Sequence, residues 1–171
     1  MYPREDFSQA FEASVAANPM YSRFRRMPVS QELGLRESML LFSCFEPRVI
    51  PEGSVIYEAN TPSENEMYLI VEGTVSVSSA SQDIYESLRP GDVFGLFSFL
   101  DEGRLHSATV TTTSELTVLV INRDYFDVIT LEDPALGNEM LRFMFRMLSR
   151  MALKLESEYA AIHRFATGRR I

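Results

Sequence analysis

The chain has 171 residues, enough for one domain with helical extensions, and its hydrophobic fraction of 46% supports a real buried core rich in Phe (12) and Met (9). The formal net charge of −8 argues against a broad nucleic-acid or anionic-membrane surface. One cysteine, Cys44, excludes an intrachain disulfide and disfavours structural zinc or an iron–sulfur cluster.

The N-terminus has no signal-peptide core, and no apolar run approaches the roughly 20 residues a bilayer span needs, so a cytoplasmic location and no membrane span are expected. Residues 5–17 place Phe7, Phe11 and Val15 at helical spacing, and Asn18-Pro19 ends that element. Residues 21–27 are basic and aromatic. Pro28 then breaks the chain, and Ser30 is the expected N-cap of a helix over 31–42. Cys44, between Phe42 and Phe45, reads as a small buried hydrophobe.

From Phe45 to Ile121 short β-rich runs alternate with turn signals. Strands are expected over 48–50, 54–58, 67–71, 74–78, 84–88, 106–112 and 116–121. Regular spacing of short antiparallel strands implies a sandwich, barrel or jelly roll. In Thr74-Val75-Ser76-Val77-Ser78 the valines face inward. The uninterrupted apolar run 67–71 suits a strand covered on both faces.

After Ile121 the period becomes helical. Asn122 or Asp124 caps a short helix through Ile129, and Asp133-Pro134 opens a long one. At 100° per residue, Met140, Leu141, Met144, Phe145, Met147, Leu148, Met151 and Leu155 span roughly 140°, and Phe143 widens the arc to about 200°. One core needs only about 100°, so two packing surfaces are expected. Leu141, Met144, Leu148, Met151 and Leu155 follow the 3–4 spacing of a coiled-coil seam, which predicts a homodimer through this helix. Arg142, Arg146, Arg150 and Lys154 recur every four residues on the other side. Such a stripe suits an acidic protein partner or anionic lipid, or is simply a solvated face.

Four motifs in order resemble the cyclic nucleotide-binding domain family. Val49-Ile50-Pro51-Glu52-Gly53-Ser54-Val55-Ile56-Tyr57 is similar to its first turn, and Met67-Tyr68-Leu69-Ile70-Val71-Glu72-Gly73-Thr74-Val75 to its central hairpin. Leu88-Arg89-Pro90-Gly91-Asp92-Val93-Phe94-Gly95 resembles the approach to its phosphate-binding cassette, and Ala108-Thr109-Val110 the strand leaving it. The resemblance implies a mainly β fold with flanking helices. Its centre is a double-stranded β-helix, or jelly-roll barrel, preceded by N-terminal helices and followed by a long C-terminal helix. The expected division is a helical extension over 1–43, a β-roll over 44–129 and a lid or dimerisation helix over 130–171.

The resemblance also implies a cyclic nucleotide as ligand, held at cassette positions Phe94, Gly95, Leu96, Phe97, Ser98, Arg104, His106 and Ser107. Phosphates are gripped by close backbone N–H groups at a Gly-containing helix start, which Gly95 and the following Leu96-Phe97-Ser98-Phe99-Leu100 resemble. Two anchors depart from the family pattern. Leu96 stands where the family has a ribose-binding Glu, and His106 where it has a phosphate-binding Arg. Imidazole lacks the permanent charge and bidentate fork of guanidinium. Two lost charge-assisted contacts of about 1.5–3 kcal/mol each predict weak or lost cyclic AMP binding.

No catalytic or metal site is expected. The chain has two histidines, His106 and His163, too few for a cupin-type metal centre, and it lacks a nucleophile elbow, a Walker loop and a dinucleotide Gly pattern. The expected role is a non-enzymatic regulatory module acting through protein contacts or another small anionic ligand. Two alternatives are the cytosolic regulatory domain of a transporter and the sensor part of a catabolite-activator-type transcription factor. Only 42 residues follow Ile129, so no DNA reading is expected of this chain by itself.

Overall fold

The computed structural model describes residues 4–168, with side chains from Gln9 onward; Phe7 therefore lies outside the described side chains. Three short helices come first: α1 (Arg4–Ala16), α2 (Pro19–Arg26) and α3 (Leu35–Ser43), with one 3₁₀ turn at Pro28–Ser30. The basic aromatic stretch is thus mostly helix. Asn18 caps it by accepting from the Met20 amide at 2.9 Å, and Pro19 fills the first turn. Helix α3 starts later than the sequence suggested, and Ser30 is not its cap. Ser30 lies fully buried in the 3₁₀ turn, and the helix opens at Gly34, whose amide donates to Glu37 Oε2 at 3.1 Å. The run Pro28 to Gly34 resists helix, since Pro and Gly favour other backbone states.

Eight strands follow, all pairing antiparallel: β1 (Glu46–Ile50), β2 (Val55–Tyr57), β3 (Glu66–Glu72), β4 (Val75–Ser78), β5 (Ile84–Leu88), β6 (Val93–Phe94), β7 (Thr109–Thr112) and β8 (Leu116–Asn122). They form two four-stranded sheets, ordered β1-β8-β3-β6 and β2-β7-β4-β5, which is the jelly-roll arrangement. The two-residue strand β6 is too short to leave a periodic signal in sequence. The tight turn between β3 and β4 needs Gly73, since at φ +90° a Cβ would stand 2.2 Å from the Glu115 carbonyl oxygen.

Strand β3 explains its own apolar run. Met67, Leu69 and Val71 face a core shared with the helices, while Tyr68 and Ile70 face the interior of the roll. Strand β8 divides in the same way, with Leu119 and Ile121 to the helical core and Leu116, Val118 and Val120 to the roll. Val75 and Val77 point into the roll as the alternation predicts. One sheet therefore has a core on each face, and the roll is clamped to its helices.

A one-turn helix α4 (Leu96–Leu100) interrupts the strands, and α5 (Arg123–Glu132) and α6 (Pro134–Ala166) close the chain. Asn122, one of the two caps the sequence offers, caps α5 through the Asp124 amide at 2.8 Å, and Asp133 caps α6 through the Leu136 amide at 3.1 Å as the sequence indicates. The 33 residues of α6 make a rod of about 50 Å. Its first half buries Met140, Phe143, Met144 and Met147 against α2, α3 and the first sheet; Phe143 packs 5.9 Å from Phe24 and 6.2 Å from Phe45. Cys44 is buried, donates to the Leu40 carbonyl at 3.2 Å, and has its thiol pKa pushed up by burial to about 11, which makes it an inert core residue.

Candidate functional site

The roll and the middle of α6 border a half-open cavity of about 430 Å³. The roll side is apolar, built from Val77 of β4, Leu88 of β5, Phe94 of β6, Ala108 and Val110 of β7 and its approach. Gly95, Leu96 and Phe97 close one end, and Leu148, Met151, Ala152 and Leu155 of α6 form the roof. Phe94 is held by a stacked contact with Tyr68 at 4.7 Å. Tyr68 in turn donates to Glu66 Oε2 at 2.6 Å, and Arg48 grips both oxygens of Glu66 at 2.9 and 3.1 Å. Burial opposes ionisation of Glu66, but the bonds from Arg48 and Tyr68 outweigh it and hold the carboxyl below its usual range. This bracket stiffens the cavity wall.

Gly95 adopts φ +77°, and a Cβ there would stand 2.5 Å from the Glu66 carbonyl oxygen. The left-handed turn aims α4 back over the first sheet, so Leu96 and Phe99 enter the helical core. Leu96 is 1% exposed and still borders the cavity. Leu96 is thus part of the core as well as of the cavity wall. Helix α4 has five residues, too few for an appreciable macrodipole.

The position expected to carry a phosphate-binding Arg holds His106, which is 8% exposed and lies flat on Tyr57 with ring centroids 3.7 Å apart and planes within 3°. Its backbone is tied to the Asn60–Thr61 turn at both polar groups. Burial lowers the imidazole pKa below its ordinary 6.5, against a weaker pull from Glu64, so the ring is neutral near pH 7. Burial also raises the Tyr57 phenol well above its ordinary range, an effect that the Gly95 backbone offsets in part. The structure thus places a neutral pair of stacked rings at this position.

Of the expected ligand-binding positions, Phe94, Gly95, Leu96, Phe97 and Ser107 line the cavity. Ser98 and His106 border a smaller adjoining recess together with Tyr57 and Leu105. Arg104 borders neither; it points outward and pairs with Asp101 at 3.3 Å. The helix residues divide as well. Met144 is buried in its own domain, Leu141, Leu148 and Met151 are partly buried against it, and Leu155 is exposed.

The basic residues of α6 do not form a free stripe. Arg142 pairs with Glu139 at 3.5 Å, Arg146 is half-buried, Arg150 donates to the Pro28 carbonyl at 2.9 Å, and Lys154 binds Glu86 of β5. Helical spacing put these residues on one face but could not show that the barrel lies under part of it. The rim carboxylates Glu86, Asp92 and Glu158, and the stacking partner Tyr57, escaped the sequence reading. Tyr57 precedes His106 by 49 positions, so no local pattern joins them. No group of His, Cys, Asp and Glu among the described residues could hold a metal ion, and no described helix is long and apolar enough to cross a membrane.

A sequence model of the cyclic nucleotide-binding domain matches residues 47–133. A CRP-like cAMP-activated global transcriptional regulator of Mycobacterium tuberculosis is 27% identical over 109 residues, covering 61% of this chain and 48% of the regulator. The chain thus spans about half the length of that relative. Among solved structures, a cyclic nucleotide-binding domain from Methylobacillus flagellatus superposes with a TM-score of 0.67 at 19% identity, covering 88% of this chain and 83% of that one. The catabolite activator protein of Thermus thermophilus gives 0.57 at 24% identity, covering 77% and 63%. These two likenesses concern the fold.

Proposed function

Because the chain belongs to the cyclic nucleotide-binding domain family, we propose that it is a non-enzymatic regulatory module whose affinity for cyclic AMP is weak or lost. The observation that carries this reading is the stacked His106–Tyr57 pair at the position expected to hold the phosphate, together with Leu96 buried in the core where a ribose anchor is expected. A cyclic phosphate would meet a neutral imidazole there in place of a permanent cation, and a ribose hydroxyl would meet a hydrocarbon. The module then signals through another ligand in the same cavity, through protein contacts, or both.

Calorimetric titration with cyclic AMP, cyclic GMP and cyclic di-GMP tests the reading. No heat, or only millimolar binding, is expected for cyclic AMP; micromolar binding overturns it.

A dimer formed along α6 belongs to the same proposal. Leu141, Phe145, Leu148, Ala152, Leu155, Tyr159 and Ile162 follow alternating four- and three-residue steps. Phe145, Leu155, Tyr159 and Ile162 are exposed large hydrophobes, and the distal half of the helix leaves its own domain behind. This register differs from the one read off the sequence, since Met144 is already used by the domain core. The likeness to a transcriptional regulator favours one further reading, a sensor part of a catabolite-activator-type factor. A helix-turn-helix encoded beyond Ile171 in the native transcript supports it; a stop codon there refutes it.

A further inference from the structure

The charges around the cavity say what kind of molecule it takes. Four charged side chains border it, and three of them are carboxylates: Glu86, Asp92 and Glu158. The fourth, Lys154, is hydrogen-bonded to Glu86 and lies 4.0 Å from Glu158. Among the described residues, no arginine lines the space. An anion entering here therefore approaches a rim that is net negative, with its one cation already paired. Behind the rim the walls are hydrocarbon and aromatic, and the volume falls in the range of about 300–1,000 Å³ typical of small-molecule sites.

We infer that the cavity between the roll and α6 is a binding site for an uncharged, largely apolar small molecule, whose insertion would brace α6 against the roll. The inference rests on the reading that cyclic AMP is not the ligand, and it adds the ligand's chemical class. An apolar body would displace poorly held water from Leu88, Val110 and Leu148 at no cost in buried charge. An anionic group of the same size would have to lose its hydration facing carboxylates. The roof residues Leu148, Met151 and Leu155 belong to α6, so occupancy and helix position are coupled directly.

Two dyes that share one skeleton test this. N-phenyl-1-naphthylamine is uncharged, and 1-anilinonaphthalene-8-sulfonate carries the same rings with a sulfonate. The chain has no Trp, so a Phe97→Trp variant places a single indole at the rim. Energy transfer from that indole reports a dye bound close to it, and the cavity-filling Ala108→Phe variant separates binding in this cavity from binding elsewhere on the chain. The expected result is saturable binding of one uncharged dye per chain with energy transfer, and at least tenfold weaker binding of the sulfonate. In a Glu86→Gln/Glu158→Gln variant that tenfold preference should shrink, and Ala108→Phe should abolish transfer. Sulfonate binding as tight as that of the uncharged dye, or no transfer from either, overturns the inference. Cyclic AMP serves as competitor to separate the two failures. Micromolar displacement by it overturns the parent reading as well, whereas no binding of dye or nucleotide overturns the inference and leaves the parent standing.

Discussion

His106 is a buried imidazole locked in place by its neighbours. Its ring is held by the Tyr57 stack and by backbone bonds to the Asn60–Thr61 turn, so it cannot swing into the cavity without unstacking. The same burial makes it a pH-dependent stability element. Its folded pKa is lower than the ordinary 6.5, so the unfolded chain binds the proton more readily. The stabilisation is complete above 6.5 and is lost as pH falls through the depressed folded value. A His106→Phe variant keeps the stack and has no proton to take up. Urea midpoints at about pH 7.5 and about pH 5.5 should therefore differ more for the parent than for the variant; equal differences refute the point. Glu66 acts in a separate window, because its carboxyl pKa is also lowered and its contribution fades only below the ordinary carboxylate range near 4.5. Restoring the family's acidic anchor with Leu96→Glu is a poor experiment, since it would bury a carboxylate in the helical core.

At the scale of elements, the joint between β6 and α4 is the most constrained piece of the site. Gly95 combines a left-handed backbone with a close approach to the Glu66 carbonyl oxygen. Gly95→Ala adds about 1–2 kcal/mol for the αL conformation and about 1–3 kcal/mol for overpacking against backbone that cannot yield. A loss of about 2–5 kcal/mol in urea unfolding is expected. A loss below about 0.5 kcal/mol would mean that the turn is free to rearrange. The motif spelled Phe94-Gly95 in the sequence, and the close approach explains why glycine is needed whether or not a phosphate is ever bound. Helix α3 carries the opposite lesson. Ser30 has the chemistry of a cap but sits in a 3₁₀ turn under the core, where its hydroxyl finds no partner.

For the whole molecule, α6 links the parts. Its near half belongs to the helical core, its middle roofs the cavity, and its far half is exposed on an apolar line. If that line is the dimer seam, light scattering should give the mass of two chains, and Tyr159→Asp with Ile162→Asp should give one. Both side chains are exposed in the single chain, so the variant should keep its circular dichroism spectrum and its unfolding midpoint. A parent that is monomeric at high concentration, or a doubly substituted variant that stays dimeric, rules the seam out. The Met144→Asp change would not make this test, because Met144 is 1% exposed and its replacement would disrupt the domain.

The amino-acid order determined what depends on near neighbours. Alternation in Thr74–Ser78, the turns at Gly53, Gly73 and Gly91, the caps Asn122 and Asp133 and the four ordered motifs were enough to specify a roll with a long following helix. These signals are local because backbone preference, capping and face periodicity act within a few residues. Only the tertiary structure decided that β3 and β8 each serve two cores, that Tyr57 covers His106 across 49 positions, and that Lys154 pairs with Glu86 across 68. Those outcomes come from which surfaces meet once the roll closes. Distant partners compete for the same burial and charge, and no window of sequence contains both of them.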